Sequence, residues 1–357
     1  QMDTRVIMMA GGTGGHVFPA LAVATLLRER GWSVTWMGTR NGLAYRVVPA
    51  EGFELDTLEV RGLRRSGLLR LLGAPLVLLR AGAQAWRILR RRRPHVVLGM
   101  GGFATGPGGL AARMLGIPLV VHEQNAIPGL TNRLLVRMAT RVLAAFPQAF
   151  GTRPGVEVTG NPVRREIRSL EIPAERFARH DGPLRLLVMG GSLGAQVLNE
   201  QVPLAIAEMP GGERPFVRHQ AGRGKADRAQ AAYRDAGVTA EVSEFIEDVA
   251  QALSWADLVV CRSGALTISE LAAAGVGAVL VPYPHAVDDH QTANGRFLAD
   301  AHAAVLLPQA ELTPGKLGEI LRSMDRSRLL GMAERARALA TPDAAARVAD
   351  IIAEVAS

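Results

Sequence analysis

Short apolar runs alternate along the chain with longer stretches of helical periodicity, and glycine-rich turns join the two. The first run, residues 5–9, precedes AGGTGGHV (10–17). A periodic apolar stretch then ends at Gly31, and residues 33–37 form the next run. This order predicts a strand, a helix that a glycine ends, and a second strand. Uninterrupted apolar runs predict further strands at residues 96–98, 119–121, 258–260 and 278–281.

The chain repeats this opening in its second half. Residues 184–189 form an apolar run that is followed by GGSLGA (190–195) and by another helical stretch. Apolar strands that alternate with helices indicate parallel sheets covered on both faces. We therefore expect an α/β protein of two Rossmann-like, doubly wound domains with a substrate cleft between them. Turn residues at 160–162 place the domains over residues 1–162 and 163–342.

Composition narrows the class of protein. A single cysteine, Cys261, excludes an internal disulfide and suits a reducing compartment. No apolar run reaches the ~18 residues that span a bilayer. The N-terminal residues do not have the pattern of a secretory signal. We therefore expect a soluble or peripheral protein.

The positive charge is concentrated in one segment. Ten arginines and no acidic residue lie between Arg61 and His95, whereas the whole chain has a net charge of +8. One basic segment indicates one anionic partner, whereas a uniformly basic protein would indicate nucleic acid. Trp86 is the only aromatic residue of the segment, so bases have no stacking platform there and we expect no nucleic-acid partner.

Both glycine-rich loops stand between a strand and a helix, where backbone N–H groups can approach an anion. A tight turn without a ligand is the alternative for one loop, but two such loops favour a phosphate-bearing ligand. The dinucleotide fingerprint G-x-G-x-x-G fails at Val17, and the second strand ends in MGTR (37–40) without an acidic residue for a ribose. Arg40 leaves a 2′-phosphate cofactor open, whereas neither loop has the Gly-Lys-[Ser/Thr] of a P-loop.

A further anion site is predicted at CRSGALTISE (261–270), which follows an apolar run and opens a helix. Ser263 or Gly264 is the expected cap, and the N–H groups of residues 265–267 could hold a diphosphate through the helix dipole. Glu270, one turn inside the helix, is placed to accept hydrogen bonds from ribose hydroxyls. The alternative is that Glu270 only favours the start of the helix.

Eight motifs resemble, in order, those of the MurG family, which belongs to glycosyltransferase family 28. They run through essentially the whole chain: GGTGGHVFPALAVA (11–24), LGMGGFATGPGGLAA (98–112), HEQNAIPGLTNR (122–133), GNPVR (160–164), GGSLGA (190–195), EFIEDV (244–249), CRSGALTISELAAAG (261–275) and DDHQTANG (288–295). The resemblance implies two GT-B domains, the N-terminal one for the acceptor and the membrane, the C-terminal one for UDP-GlcNAc. It also implies that a final helix, about residues 343–357, crosses back to the N-terminal domain.

The activity that the resemblance implies is transfer of N-acetylglucosamine from UDP-GlcNAc to the C4 hydroxyl of undecaprenyl-diphosphate-MurNAc-pentapeptide (lipid I). The product would be lipid II, an intermediate of peptidoglycan synthesis. The implied mechanism is an inverting single displacement without a metal or cofactor, by a peripheral protein at the cytoplasmic face of the bacterial inner membrane. Two alternatives stay open: a UDP-GlcNAc 2-epimerase of the same fold, and a non-catalytic membrane adaptor that binds UDP-GlcNAc.

The family's donor contacts fall on matching positions of this sequence. They are Thr13, Gly14, Gly15, Asn125, Arg164, Ser192, Phe245, Ile246, Ala265, Leu266, Thr267, Ile268, Ser269, Glu270 and Gln291. Phe245 and Ile246 would frame the uracil, and Gln291 would bind sugar hydroxyls. The acceptor diphosphate is expected at Gly101, Gly102 and Gln124. One departure is Leu193, where such proteins commonly have glutamine.

An inverting transfer needs a base for the acceptor hydroxyl and a stabilised leaving diphosphate. Asp288 and Asp289 are adjacent and do not form an Asp-x-Asp metal motif, so the helix at residues 265–267 would neutralise the leaving charge. His16 is the favoured base, because a neutral imidazole is available near neutral pH. The alternatives are that His16 caps its helix or binds the acceptor diphosphate, and that His122 or Glu123 takes the role of base.

Apolar residues among cations predict contact with an anionic membrane surface. The predicted contacts are Arg64, Arg65, Leu68, Leu69, Leu72, Leu76, Leu79 and Arg80. The alternative is an amphipathic core helix with a solvated basic face. The arginines at 90–93, directly before Pro94, are expected to end a helix, because cations suit the negative end of its dipole.

Overall fold

The computed structural model describes residues 4–59, 68–191 and 193–357, without the side chains of residues 68–74 and 287. The chain forms two units, one of Gln1–Arg164 with Asp343–Ser357 and one of Arg165–Pro342. Arg164 therefore belongs to the first unit, although the sequence placed it just beyond the boundary. The cleft predicted between the domains stays a prediction.

Strands and helices alternate through both units. The first unit begins with β1 (Arg5–Met9), α1 (Gly14–Glu29), β2 (Ser33–Thr39), α2 (Leu43–Ala50), β3 (Glu54–Leu58), α3 (Leu68–Arg92), β4 (Val96–Gly99), α4 (Thr105–Met114), β5 (Leu119–Glu123), α5 (Leu130–Leu135), β6 (Arg141–Ala144) and β7 (Val156–Val158). The second unit contains α6 (Arg165–Arg168), α7 (Pro173–Phe177), β8 (Arg185–Met189), α8 (Gln196–Ala207), β9 (Phe216–Gln220), α9 (Ala226–Asp235), β10 (Glu241–Ser243), α10 (Val249–Trp255), β11 (Leu258–Cys261), α11 (Ala265–Ala274), β12 (Gly277–Leu280), α12 (His290–Ala299), β13 (Ala304–Leu306), α13 (Pro314–Arg322) and α14 (Arg326–Ala338). The last helix, α15 (Ala344–Ala356), belongs to the first unit.

Each unit has one parallel sheet with a topological switch point. The strand order is β3-β2-β1-β4-β5-β6-β7 in the first unit and β10-β9-β8-β11-β12-β13 in the second. All the strand pairs within the described residues are parallel. The strand order reverses between β1 and β4 and between β8 and β11, and ligands of such folds bind beyond the carboxyl ends of the strands there. Both glycine-rich loops lie at these ends.

The predicted apolar runs are strands at the centres of the sheets. Every residue of β4, β5, β11 and β12 is buried, which confirms the prediction of sheets covered on both faces. The runs did not predict β3, β6, β7, β9, β10 and β13. Four of these, β3, β7, β10 and β13, are outer strands with partly exposed residues, so their sequences lack a long, uninterrupted apolar pattern. The other two, β6 and β9, are interior strands whose sequences, RVLA and FVRHQ, include polar residues.

Helix α15 completes the core of the first unit. Val348, Ile351 and Ile352 are fully buried in a cluster that includes apolar residues of α1. On the outer side of the helix, Asp350 forms an ion pair of 2.7 Å with Arg30 at the end of α1. The final helix is therefore part of the hydrophobic core of the first unit and contributes to its stability.

The basic run at residues 90–93 ends α3, as predicted. Its partners are carboxylates of β3: Arg92 Nε lies 2.8 Å from Asp56 Oδ2, and Arg91 contacts the other oxygen of Asp56. Burial disfavours the charged form of Asp56, but the two arginines outweigh it and hold the pKa of this carboxyl below its usual range. These arginines therefore stabilise the sheet edge. None of the helices in residues 4–59, 68–191 and 193–357 is long and apolar enough to cross a membrane.

Candidate active site

The loops that follow β1 and β4 touch through their backbones. Gly11 N–H donates to the carbonyl of Gly101 over 3.2 Å. A Cβ on Gly102 would lie 2.8 Å from the Gly11 nitrogen, and Gly102 has a φ of +93°. Both the space and the backbone conformation therefore require glycine at this position. The two loops form one surface of backbone at the switch point of the first sheet.

His16 stands over this backbone surface. Its Nδ1 lies 3.1 Å from the carbonyl oxygen of Gly11, which can only accept a hydrogen bond, so Nδ1 carries a proton; in the neutral ring the lone pair is then on Nε2. The imidazole packs against Gly101, where a Cβ would lie 2.6 Å from His16 Cδ2. The side chain is half-buried. This tautomer presents a basic nitrogen, as a general base requires, and the role itself stays a prediction.

The predicted contacts Thr13, Gly14 and Gly15 form the start of α1. Thr13 is the N-cap with extended backbone, its side chain makes no capping hydrogen bond, and its carbonyl accepts from His16 N–H. The first N–H groups of a helix have no partners within the helix and suit an anion. The guanidinium of Arg164 lies 5.5 Å from the centre of the Phe18 ring, one turn further along α1.

Glu123, at the end of β5, is nearly inaccessible to solvent, with 2% of its surface exposed. One carboxylate oxygen accepts from the backbone and side-chain nitrogens of Asn125, and the other accepts from Gly129 N–H and Asn132 Nδ2 at 3.2 and 2.8 Å. Four donors thus surround the carboxylate. This geometry favours a role for Glu123 in positioning Asn125 and the loop around it over the predicted alternative of a base.

His122 and Gln124 are buried on either side of Glu123. His122 Nε2 lies 3.0 Å from the carbonyl of Gly160, and Nδ1 lies 3.2 Å from Gln124 Nε2. Burial lowers the pKa of His122 to about 4, against a smaller opposite effect of the hydrogen bond to Gly160. A neutral His122 therefore ties β5 to the turn at Gly160. The amide nitrogen of Gln124 is hydrogen-bonded to His122. A role for Gln124 in binding the acceptor stays a prediction.

Helix α11 follows β11 at the switch point of the second sheet. Gly264 is its N-cap, without a capping side chain, and the predicted contacts form its first six residues: Ala265, Leu266, Thr267, Ile268, Ser269 and Glu270. Ser263, the other predicted cap, instead donates through Oγ to the carbonyl of Gln291 over 2.7 Å. Only 7% of Glu270 is exposed. Because no side chain caps the start of α11, its first backbone N–H groups are available there, and such groups suit a diphosphate.

Gln291 fixes the turn that precedes α11. Its Oε1 accepts from Ser263 N–H at 3.3 Å and from Tyr283 N–H at 2.8 Å. A contact with sugar hydroxyls would therefore use the amide nitrogen. That contact stays a prediction.

The remaining donor contacts lie elsewhere in the second unit. Phe245 and Ile246 follow β10, and 43% of Phe245 is exposed, with the Arg223 guanidinium 5.7 Å from the centre of its ring. Ser192 lies outside the described residues. The sequence did not predict Gln220, which joins the glycine-rich loop after β8 to Glu244. A polar residue at the end of β9, next to AGRG (221–224), was the available signal.

Exposed apolar side chains lie on three helices of the first unit. Helix α4 packs against both α3 and α5. The exposed residues are Leu76, Leu78, Leu79, Leu110, Met114, Leu130 and Leu134. Two of the predicted membrane contacts, Leu76 and Leu79, are therefore on the surface, and so is Arg80. Arg64 and Arg65 lie outside the described residues, and the side chains of Leu68, Leu69 and Leu72 do too.

Within residues 4–59, 68–191 and 193–357, no three histidine, cysteine, aspartate or glutamate side chains are arranged to hold a metal ion.

Two domain models of one protein family match most of the chain. Residues 6–144 match the glycosyltransferase family 28 N-terminal domain, and residues 185–355 match its C-terminal domain. The chain belongs to glycosyltransferase family 28. This confirms the predicted fold of two Rossmann-like domains of the GT-B type and the resemblance on which the site residues were assigned.

Individual members of the family are similar over the full length. A protein of Marinobacter nauticus is 55% identical over 355 residues, 99% of this chain and 98% of that protein. It is named UDP-N-acetylglucosamine–N-acetylmuramyl-(pentapeptide) pyrophosphoryl-undecaprenol N-acetylglucosamine transferase. The crystal structure of MurG from Acinetobacter baumannii superposes with a TM-score of 0.87 at 43% identity, covering 98% of this chain and 99% of that one.

A UDP-GlcNAc 2-epimerase from Neisseria meningitidis is a more distant relative in structure. It superposes with a TM-score of 0.68 at 14% identity, covering 98% of this chain and 100% of that one. At this identity, the similarity shows a common fold alone.

The first unit is predicted to lose stability below neutral pH because of His122. The unfolded chain takes up a proton near the ordinary histidine pKa of 6.5, whereas the folded state takes it up only at about 4. Stability therefore falls as the pH falls through this window, by about 1.4 kcal/mol per pH unit for one proton. Urea unfolding followed by tryptophan fluorescence measures it, since Trp32, Trp36 and Trp86 belong to this unit.

In the variant His122→Gln, the free energy of unfolding should depend less on pH. The control is His302→Gln, at an exposed position of the second unit, which should keep the pH dependence of the wild type. An unchanged pH dependence in His122→Gln would contradict the assignment.

Proposed function

We propose that this protein transfers N-acetylglucosamine from UDP-GlcNAc to the C4 hydroxyl of lipid I, undecaprenyl-diphosphate-MurNAc-pentapeptide, and so forms lipid II for peptidoglycan synthesis. The observation that carries the proposal is the 55% identity, over nearly the whole of both chains, with a transferase named for this reaction. The epimerase alternative has only a shared fold at 14% identity in its favour. The backbone surfaces at both switch points suit the two diphosphates that the reaction requires.

The second unit is the proposed donor site. The diphosphate of UDP-GlcNAc would lie at the start of α11, where the helix dipole supplies roughly half a positive charge. Glu270, buried one turn further on, would accept hydrogen bonds from the ribose hydroxyls. Phe245 and Ile246 would frame the uracil, and the amide nitrogen of Gln291 would bind sugar hydroxyls. The absence of a capping side chain at Gly264 supports this arrangement.

The first unit is the proposed acceptor site, with His16 as the base. The acceptor oxygen attacks the anomeric carbon as the bond from that carbon to the diphosphate oxygen breaks. The hydroxyl proton passes to His16 Nε2, and UDP leaves with the bonding electrons. The hydrogen bond from Nδ1 to Gly11 supports this role, because it orients the ring and leaves the lone pair on Nε2. Gly101 and Gly102 would offer backbone to the lipid diphosphate.

A surface on the first unit is proposed to rest on the anionic cytoplasmic face of the inner membrane, which makes the protein peripheral. The exposed leucines of α3 and α5, with Leu110 and Met114 of α4 between these helices, supply apolar area. Exposed Arg80, Arg113, Arg133 and Arg137 on the same helices or directly after them supply positive charge. Apolar side chains next to cations suit the boundary between lipid headgroups and acyl chains.

The transferase and the role of His16 are tested together by release of UDP from UDP-GlcNAc with and without a lipid I analogue. Release should depend on the acceptor, and His16→Ala should lower kcat by about 10²–10⁴-fold, the usual contribution of a general base. UDP binding should be retained. His302→Asn, at an exposed position in the second unit, is the control and should not change turnover. Acceptor-independent release would favour an epimerase or hydrolase, and UDP-GlcNAc binding without turnover would favour the adaptor.

The membrane surface is tested by co-sedimentation with vesicles that contain anionic phospholipid. Leu79→Glu and Arg80→Glu should each weaken binding by about fivefold or more, because one basic group near such a surface contributes about 1 kcal/mol. Leu204→Glu, an equally simple change on the exposed surface of the second unit, is the control. Equal binding of all three variants would contradict the assigned surface.

A further inference from the structure

Gln220 joins two loops of the second unit through one side chain. It ends β9 and is 6% exposed. Its Oε1 accepts from Gly190 N–H and Gly191 N–H, both at 3.1 Å. Its Nε2 donates to the carbonyls of Gly191 at 2.8 Å and Glu244 at 2.9 Å. A carboxamide has two donor hydrogens and two acceptor lone pairs, so these four hydrogen bonds satisfy all the donors and acceptors of the Gln220 side chain.

The two ends of this carboxamide cannot be exchanged. The oxygen faces two N–H donors, and the nitrogen faces two carbonyl acceptors. A rotated amide would oppose donor to donor and acceptor to acceptor at all four contacts. The side chain therefore specifies one arrangement of the glycine-rich loop at 190–195 relative to the turn that begins at Glu244.

The backbone that follows Gln220 lies directly between these two segments. A Cβ on Gly194 would lie 2.1 Å from the carbonyl oxygen of Ala221, so no side chain fits between the glycine-rich loop and residues 221–222. On the other side, Ala221 N–H donates to Ser243 and Gly222 N–H donates to Glu244. The contacts of Gln220 are thus part of a layered junction of three strand ends, β8, β9 and β10.

Lys225 adds a second connection at the outer end of the same junction. Its Nζ donates to the carbonyl of Leu193 over 2.7 Å, and Gly224 N–H donates to Glu244 Oε1 over 2.8 Å. Leu193 itself is 80% exposed, so its side chain does little to fix the loop. The ammonium of Lys225 holds the tip of the loop, whereas Gln220 holds its base.

We propose that Gln220 and Lys225 are positioning residues of the donor site. They hold the glycine-rich loop and the uracil-framing turn (residues 244–247) in one arrangement before the nucleotide binds. The proposal rests on the proposed function, which places the uracil at Phe245 and Ile246, and on the family's donor contact expected at Ser192 in the glycine-rich loop. A site that is competent for only a fraction of the time has its affinity reduced by that fraction. Gln220, which is buried, acts through Gly190, Gly191 and Glu244.

The experiment is UDP binding to the full chain by calorimetry, with steady-state kinetics on the same variants. Gln220→Met keeps the length of the side chain and removes all four hydrogen bonds, so the Kd for UDP should rise by about tenfold or more. Lys225→Met, a partly exposed change, should raise it less. Both should raise KM for UDP-GlcNAc and leave KM for the lipid acceptor and kcat nearly unchanged.

Arg214→Met is the matched control for loss of stability. Arg214 precedes the other end of β9 and donates to the carbonyls of Met209, Gly237 and Ala207. Its substitution should lower the Tm about as much as Gln220→Met without changing the Kd for UDP. Equal weakening by Arg214→Met would reduce the effect to general destabilisation and overturn the proposal.

The two proposals fail in distinguishable ways. Wild-type affinity for UDP in both Gln220→Met and Lys225→Met would overturn the assignment of positioning residues and leave the proposed function intact. If Gln220→Met does not fold, the Kd of Lys225→Met for UDP alone tests the proposal: an increased Kd supports it, and a wild-type Kd overturns it. A wild-type protein that does not bind UDP would contradict the proposed function and this assignment with it.

Discussion

Gly102 lies against Gly11 with no side chain between them, and this contact determines how the candidate site of the first unit is assembled. It brings the loops after β1 and β4 together as bare backbone, and it leaves His16 packed on Gly101 with Nδ1 directed at Gly11. The second unit has a contact of the same kind, in which Gly194 meets the carbonyl of Ala221. Backbone that approaches this closely can offer its N–H groups to a phosphate.

Buried polar side chains hold the loops of each site in one of the conformations that their glycines allow. Glu123 accepts four hydrogen bonds from Asn125 and the residues that follow it. Gln220 forms four hydrogen bonds with two segments of the proposed donor site. Such fully satisfied groups specify one conformation, because any other leaves a buried donor or acceptor without a partner. Each candidate site thus has loop segments that are held in place by hydrogen bonds to a buried polar side chain.

The sequence predicted the strands β1, β2, β4, β5, β8, β11 and β12, both glycine-rich loops and the start of α11, since each depends on a local pattern of apolar residues or of glycines that follow them. It did not predict that Ser263 bonds Gln291, that Glu123 is enclosed by donors, or that Gln220 joins β8 to β10. The contacts of Ser263 and Gln220 join residues distant in sequence. The donors to Glu123 are close in sequence, but they lie in a loop and at the start of a short helix, where no periodic pattern indicates which way a side chain points. All these side chains are of types that also occur on surfaces. Outer strands such as β3 and β10 were not predicted, because some of their residues are exposed to solvent and polar, and the sequence there lacks an apolar run.

The central claim is a single displacement in which the acceptor hydroxyl attacks the anomeric carbon as UDP departs. The most direct measurement is the anomeric configuration of the new glycosidic bond, determined by NMR on the product formed from α-linked UDP-GlcNAc and a lipid I analogue. The account predicts a β-linked disaccharide at the C4 hydroxyl of the acceptor. An α-linked product would require two displacements, and free N-acetylglucosamine or its epimer would show that the acceptor takes no part; either result would contradict the account.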